Sequence, residues 1–215
     1  VRPVLDLAVA ARAVVDAGTG WLSSLVDLGS GIELIPPRPG PHAVVLDDPT
    51  DTWSHGVRSF REVAGAFRPA SVVRQDDGPV RQAVRVTSSY QGSTLVEEIR
   101  LDAGARHLDV AVTVDWHEQL AALKLRFPAA LQRPVAPHEI PYGHLVRPAD
   151  GQEVPSQNWV DVSDSADGAE FGLALLNDGK YSFDVDGSEI GMMVLRSPAY
   201  AWHDPAVLAP DVPHR

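Results

Sequence analysis

Apolar and polar residues alternate along many short stretches of this chain. Every second position from Leu108 to Trp116 is apolar, and the positions between them are polar, charged or small. The same alternation runs from Ala121 to Phe127, where Lys124 and Arg126 occupy the polar positions. A period of two predicts β-strands that bury one face. Helical patterns are scarce, and the best one, from Ser59 to Ala66, is short and rich in residues that disfavour helix.

Turn signals separate these stretches. Asp-Gly pairs occur at Asp77-Gly78, Asp150-Gly151, Asp167-Gly168, Asp178-Gly179 and Asp186-Gly187. Such pairs suit tight turns because glycine adopts positive φ without steric strain and aspartate bonds its own backbone. Roughly fifteen short strands with regular turns predict an all-β fold, a large antiparallel two-sheet sandwich. The proline-rich segment from Ile35 to Pro41 is a loop, and we expect residues 1–215 to form a single domain.

Composition and charge exclude several classes of function. The chain of 215 residues contains no cysteine, so it has no disulfide scaffold, thiolate metal site or thiol nucleophile. Its 18 Lys and Arg against 29 Asp and Glu give a net charge of −11, which argues against nucleic-acid and anionic-membrane partners. No stretch approaches the ~18 apolar residues of a membrane span. Because the chain begins with Val1, we expect that the N-terminal side of a larger chain is missing or was trimmed.

Three groups of residues are candidates for chemistry. His138, Glu139 and His144 lie within one loop-like stretch and could bind a metal, although ordinary polar residues of a loop explain them better. The acidic run of Asp47, Asp48 and Asp51, ahead of Trp53 and His55, could supply paired carboxylates for glycoside hydrolysis; a turn capped by its own side chains is favoured. The segment from Asp115 to Glu118 is best explained as a strand end with Trp116 in the core.

The second half of the chain resembles a known family. The segment from His138 to Gly151 leads to Glu153–Ser163, then to Gly172–Tyr181 and Leu195–Tyr200. This succession resembles the C-terminal β region of glycoside hydrolase family 38, the α-mannosidases. Upstream segments match in the same order, at Gly20–Leu25 with Gly31–Glu33, Asp47–Trp53, Val114–Glu118 and Leu123–Pro128. Within these segments, Trp159–Ser163 is expected to be a strand and Asn177–Tyr181 a hairpin turn with Gly179 at positive φ.

The resemblance implies a fold and a division of labour. It implies a sandwich similar to that of galactose mutarotase, and a chain that is the C-terminal part of a larger, retaining α-mannosidase. The catalytic Asp and the Zn²⁺ ligands of such enzymes belong to an N-terminal catalytic domain, so no catalytic residue and no metal site is expected in this chain. The partners implied are that catalytic domain and the α-mannoside substrate. Alone, this chain is expected to be inactive, because retention needs a pair of carboxyls ~5 Å apart and the family keeps that pair elsewhere.

The resemblance also suggests which residues border the substrate. In the family, a loop of this domain leans over the sugar site, and the stretch from Tyr142 to Pro148 corresponds to it. We therefore expect Arg147, with Tyr142 and His144, to form a lip of the substrate cleft. A guanidinium offers a rigid fork of donors for sugar hydroxyls or for a carboxylate. The alternative is that Arg147 pairs with Glu139 or Glu153 and braces the loop.

Two other functions remain open from the sequence. One is a stand-alone carbohydrate-binding module or a mutarotase-like domain, although His138 and Glu139 are adjacent and could not flank a sugar as mutarotation requires. The other is a purely structural or assembly domain, and homo-oligomers are possible. A cytoplasmic location is expected, and the Arg-rich, Lys-poor composition suggests a bacterial source.

Overall fold

The computed structural model describes residues 4–6, 11–54, 56–166 and 169–199. Within these ranges it consists of strands, turns and loops, without a helix, and Ser59–Ala66 contains a strand and loop residues. The strands are β1 (Val4–Asp6), β2 (Ala11–Val15), β3 (Leu22–Asp27), β4 (Ile32–Glu33), β5 (Ala43–Asp47), β6 (Val63–Ala66), β7 (Arg68–Asp77), β8 (Arg81–Tyr90), β9 (Ser93–Asp102), β10 (Asp109–Asp115), β11 (Ala121–Pro128), β12 (Ala136–Ile140), β13 (Gly143–Arg147), β14 (Val154–Pro155), β15 (Trp159–Ala166), β16 (Ala169–Leu176), β17 (Ser182–Asp186) and β18 (Glu189–Ser197). The pairings between these strands are antiparallel.

The chain divides into two compact units. The first unit comprises Val1–Pro41 and Phe67–His117. Its described residues form two four-stranded sheets, in the orders β1-β2-β3-β4 and β10-β9-β8-β7. Alternating apolar side chains from both sheets form one core: Leu5, Ala13, Val15, Val84, Val86, Ile99 and Leu101. The alternation that predicted the strands therefore also selects the residues that fill this core.

The second unit comprises His42–Ala66 and Glu118–Arg215, and it carries the residues singled out as a cleft lip. Its described residues form a six-stranded sheet, β14-β17-β18-β11-β5-β6, and a four-stranded sheet, β13-β12-β15-β16. Strand β11 is central in the larger sheet, between β18 and β5. The first five residues of β11 are all buried, so this strand is covered on both faces.

The all-β, antiparallel prediction is confirmed for the described residues. The observed arrangement is four sheets in two units, and the chain passes from the first unit to the second directly after the proline-rich loop, at Pro41. The two-sheet sandwich and the single domain over 1–215 stay predictions.

Two details of the predicted strands are wrong. Strand β10 is an edge strand, and its apolar positions Val110 and Val112 are 40% and 36% exposed instead of buried. Lys124, expected on a solvated face of β11, is buried because that strand is central. An alternating pattern identifies the strand, whereas the position of the strand in its sheet decides how much of each face is covered.

The Asp-Gly turns differ in backbone conformation. Gly151 and Gly187 have positive φ, as expected. Gly179 does not, and the Asn177 Oδ1 accepts hydrogen bonds from the backbone N–H groups of Gly179 (2.9 Å) and Lys180 (2.6 Å). The hairpin predicted at Asn177–Tyr181 is wrong, because the segment joins β16 to β17, which belong to different sheets. The Asp167-Gly168 pair lies outside the described residues, as do His55, Tyr200 and Trp202.

Candidate functional site

The predicted lip lies on the hairpin of β12 and β13, and its tip is a conformationally strained residue. The two strands pair in register from Ala136↔Arg147 to Ile140↔Gly143, which leaves Pro141 and Tyr142 as the turn. Proline presets the backbone of the first turn position, and the second position then favours glycine. Here that position is Tyr142, with φ of 66° and a fully exposed side chain. The turn therefore holds an aromatic ring in solvent at some conformational cost.

A neighbouring turn anchors the hairpin. Ser156 is buried, and its hydroxyl donates to the carbonyls of Glu139 (3.2 Å) and Trp159 (2.9 Å). The backbone N–H of Asn158 donates to Glu139 Oε2 at 2.5 Å, and that of Gln157 donates to the Glu139 carbonyl at 3.2 Å. These bonds tie the middle of β12 to residues 156–158, so the tip extends from a rigid base.

The three lip residues share this hairpin without sharing one face. His144 pairs with Glu139, and its ring lies 6.2 Å from that of Trp159 at a 43° tilt. Arg147 is three residues further along β13, on the opposite face, where it is a diagonal neighbour of His138. Tyr142 lies between the strands at the tip. The sequence stretch interpreted as loop-like is thus a regular hairpin.

Arg147 has no carboxylate partner among the described residues. Its Nη2 donates to the Pro155 carbonyl at 3.4 Å, and its buried Nε has no hydrogen-bond partner. The two ion pairs considered from the sequence are not formed. Glu139 accepts from Asn158, whereas Glu153 pairs with Lys124 and accepts from the Ser182 hydroxyl at 2.7 Å. The ion pairs through which Arg147 was expected to brace the loop are therefore wrong, and its guanidinium retains unused donors.

His138 lies on β12, and its side chain is fully buried. Burial lowers the pKa of its imidazole from 6.5 to about 4, and the nearby charge of Arg147 acts in the same direction. The ring is therefore neutral near pH 7. Within the described ranges, neither ring nitrogen has a hydrogen-bond partner.

The structure does not assemble His138, Glu139 and His144 into a metal site. His138 lies on one face of the hairpin, while the paired Glu139 and His144 lie on the other. In the part of the chain that the structure describes, no group of three or more His, Asp or Glu residues is arranged to hold a metal ion.

In the acidic run at 47–51, Asp48 and Asp51 have structural roles. The Arg196 guanidinium donates to both carboxylate oxygens of Asp48, at 2.7 and 3.0 Å, and to the Thr50 hydroxyl at 2.9 Å. It also lies 4.8 Å from the centre of the Phe60 ring. Asp48 is fully buried, and Asp51 Oδ1 accepts from the backbone N–H of Trp53 at 2.9 Å. The favoured interpretation, a capped turn, is confirmed, and Asp48 serves a buried ion pair that the sequence did not indicate.

The third candidate, the segment from Asp115 to Glu118, agrees in part with the predicted strand end and core tryptophan. Trp116 is half-buried and stacks on Phe67, with ring centroids 6.5 Å apart. His117 Nε2 lies 3.0 Å from Asp115 Oδ1 at the exposed strand end. This segment therefore contributes packing at the end of β10.

The sequence gives little indication of the ion-pair cluster around Lys124. The ammonium group contacts the carboxylates of Glu153 and Asp184, and its side chain is 2% exposed. Glycine at position 191 gives these groups room, because a Cβ there would overlap the Asp184 carboxylate. The only sequence signal was a lysine within an apolar strand, which an amphipathic strand explains equally well.

Because the described ranges contain no helix, they also contain none that could span a membrane.

Comparison with known proteins identifies the family. Residues 10–211 match the model of the glycosyl hydrolases family 38 C-terminal domain, and the chain belongs to this family. The alpha-mannosidases 2C1 of Mus musculus and Homo sapiens are 33% and 34% identical to it over 196 residues. These alignments cover 84% of this chain and 18% of each relative, so the chain spans about a fifth of the length of the curated relatives it matches.

The fold is also found in a solved structure. The crystal structure of an alpha-mannosidase from Enterococcus faecalis V583 matches with a TM-score of 0.76 at 12% identity, over 94% of this chain and 26% of that chain. In both comparisons, the matched protein is several times longer than the matched segment.

Proposed function

We propose that this chain is the C-terminal domain of a retaining, zinc-dependent α-mannosidase, and that it covers or supports the substrate cleft without being catalytic alone. The observation that carries the proposal is the family match over residues 10–211, together with relatives of which this segment is 18%. The zinc ion and the nucleophile would then belong to a separate catalytic domain. The proposal includes a galactose mutarotase-like sandwich, a bacterial source and a cytoplasmic location.

Within this proposal, the β12–β13 hairpin is the part that reaches the substrate. Three properties support this role: an exposed aromatic ring at a strained tip, a base anchored by the buried Ser156, and an Arg147 guanidinium without a carboxylate partner in the described ranges. Strained backbone is common at ligand-binding sites, where the surroundings hold it in place.

Arg147 is the residue we propose to contact either a sugar hydroxyl or a carboxylate of the catalytic domain. Its planar fork can donate two parallel hydrogen bonds, which a lysine cannot reproduce. Tyr142 would cover the sugar from the tip, and His144 would contribute from the face that it shares with Trp159. Arg147 and His144 lie on opposite faces of β13. Arg147 is the stronger candidate for direct contact, because its guanidinium has unused donors.

The Arg147→Ala variant of the complete enzyme tests this role. A hydrogen bond to a charged group contributes about 1.5–3 kcal/mol, so we expect kcat/KM for an α-mannoside to fall about 10- to 100-fold. Arg147→Lys should recover part of the loss at most. Arg106→Ala is the matched control, because Arg106 is an exposed arginine of the first unit. An unchanged kcat/KM in a correctly folded Arg147→Ala enzyme would remove Arg147 from the proposal.

A further inference from the structure

Two side chains on one face of the β12–β13 hairpin carry buried polar atoms without protein partners. They are Nδ1 and Nε2 of His138 and Nε of Arg147, none of which has a hydrogen-bond partner among the described residues. His138 pairs with Leu145 across the hairpin, so Arg147 is its diagonal neighbour on the same face. A buried polar group left unpaired costs about 1–3 kcal/mol, so these neighbouring side chains call for a partner that the described residues do not supply.

The chemistry of the three atoms restricts what that partner is. A neutral imidazole has one donor and one acceptor nitrogen, whereas Arg147 Nε offers a donor. A group that serves both side chains must accept from the guanidinium and must also bond the ring as donor or acceptor. A hydroxyl-type group such as water can do both with either ring nitrogen. A carboxylate could accept from the guanidinium and from the ring N–H, but none of the described residues supplies one to these atoms. Since His138 is 0% exposed, the group must also be small.

We propose that one buried water molecule bridges Arg147 Nε and the His138 ring, and that His138 is thereby a positioning residue for Arg147. A bound water commonly makes about three hydrogen bonds to otherwise unpaired buried groups. The bridge would fix the plane of the guanidinium and leave its terminal nitrogens to face outward. The inference rests on the proposed function only for what Arg147 then does; the bridge itself is a property of this chain.

The charges around His138 favour the neutral ring that the bridge requires. On β12, Glu139 lies on the opposite face, and on β13 the same-face charge is Arg147. On β15, Asp161 lies on the opposite face, whereas Asp164 lies on the same face and accepts from the backbone N–H groups of Gln132 (3.1 Å) and Arg133 (2.8 Å). The charge that acts on the imidazole is that of Arg147, which opposes protonation. Protonating His138 would set two cations together and remove the acceptor nitrogen.

NMR of the Arg147 Nε–H group in the 215-residue chain tests the bridge. We expect a slowly exchanging signal in the parent protein and an approximately tenfold faster exchange in His138→Leu, which keeps the volume and removes both ring nitrogens. His138→Gln supplies a neutral donor and acceptor, so it should retain the slow exchange. His144→Gln, on the other face of the same hairpin, is the matched control and should behave like the parent protein.

The pH dependence of the Arg147 Nε–H signal distinguishes a positioning role of His138 from a role in packing alone. The Arg147 Nε–H signal should shift as His138 titrates in the parent protein, and this shift should disappear in His138→Gln. If the exchange rate is the same in His138→Leu, or if the titration persists in His138→Gln, the bridge is overturned. Should His138→Leu fail to fold, the His138→Gln titration decides alone.

Crystallography and kinetics complete the test. A high-resolution crystal structure should show a water within about 3.2 Å of Arg147 Nε and of one His138 nitrogen, and a direct protein contact in its place would refute the inference. In the complete enzyme, His138→Leu should lower kcat/KM by a smaller factor than Arg147→Ala. If Arg147→Ala leaves activity unchanged, the proposed function fails, while the NMR and crystallographic results still decide the bridge.

Discussion

At the scale of single residues, the burial of His138 connects structure to pH. Its native pKa is about 4 against an ordinary value of 6.5, so the unfolded chain binds a proton at a higher pH than the folded chain does. The stability that depends on a neutral His138 is therefore complete above pH 6.5 and is lost progressively as pH falls toward 4. The full effect is about 3 kcal/mol.

The first prediction concerns this pH range. The free energy of unfolding, measured with urea between pH 7 and pH ~4, should fall more steeply in the parent protein than in His138→Leu. Between pH 7 and pH ~4, the free energy of unfolding should fall by about 3 kcal/mol more in the parent protein than in His138→Leu. His107→Gln is the control, because the His107 side chain is 68% exposed and its removal should leave the slope unchanged. Parallel curves for the parent protein and His138→Leu would contradict the prediction.

The second prediction concerns the tip residue Tyr142. Glycine tolerates its φ of 66°, so Tyr142→Gly should stabilise the fold by a net ~0.5 kcal/mol after the added freedom of the unfolded chain is subtracted. In the complete enzyme, the same change should lower kcat/KM if the ring covers the substrate. Gln91→Gly is the matched control, since Gln91 has φ of 45° in the β8–β9 turn. It should raise stability without changing activity.

Urea unfolding and steady-state kinetics on both variants give the answer. A Tyr142→Gly enzyme with full activity would show that the strained tip serves only the turn.

At the scale of elements, the central strand β11 depends on a buried charge cluster. Lys124 contacts the carboxylates of Glu153, which precedes β14, and Asp184, on β17. These three side chains come from separate elements, and they are 2%, 11% and 16% exposed. Removing one member of a buried ion pair leaves the others charged in a poorly solvated site, which is costlier than replacing the whole cluster.

The third prediction follows from this asymmetry. Lys124→Met should destabilise the protein by about 3–5 kcal/mol, measured by urea unfolding, because two carboxylates lose their cation. The triple variant Lys124→Met, Glu153→Gln, Asp184→Asn should recover much of that loss, since no buried charge remains. A loss below about 1 kcal/mol for Lys124→Met would mean that the cluster is well solvated.

At the scale of the whole molecule, the chain matches one segment of much longer relatives. The relatives named alpha-mannosidase 2C1 contain the matched segment as 18% of their length. Under the proposed function, the acid–base pair and the zinc ion belong to the rest of the enzyme. The net charge of −11 is compatible with a neutral sugar substrate and offers no attraction to polyanions.

The fourth prediction is an activity comparison. The 215-residue chain should not hydrolyse a chromogenic α-mannoside, whereas the complete enzyme should hydrolyse it and lose activity when a chelator removes zinc. Turnover by the purified chain itself would refute the division of labour that we propose. Millimolar binding of mannose by the isolated chain would favour a carbohydrate-binding module.

The sequence by itself determined the class of fold, the family and the capped turn at Asp51. Alternation with a period of two is a property of neighbouring residues, so it identified β11 and β15 without knowledge of their partners. The capped turn around Asp51 was likewise predictable, because its bonds join residues close in sequence. The motifs from Gly20 to Tyr200 also indicated the family, because their order along the chain is read directly from the sequence.

Only the tertiary structure decided which side chains are buried and which charges are paired. Lys124 and Asp184 are sixty residues apart, and Asp48 and Arg196 are 148 apart, so no local pattern joins them. Likewise, His138 and Arg147 are neighbours because a hairpin brings alternate residues of two strands onto one face. Burial, and with it the pKa of His138 and the free donors of Arg147, depends on the packing of distant strands, and that packing exists only in the folded molecule.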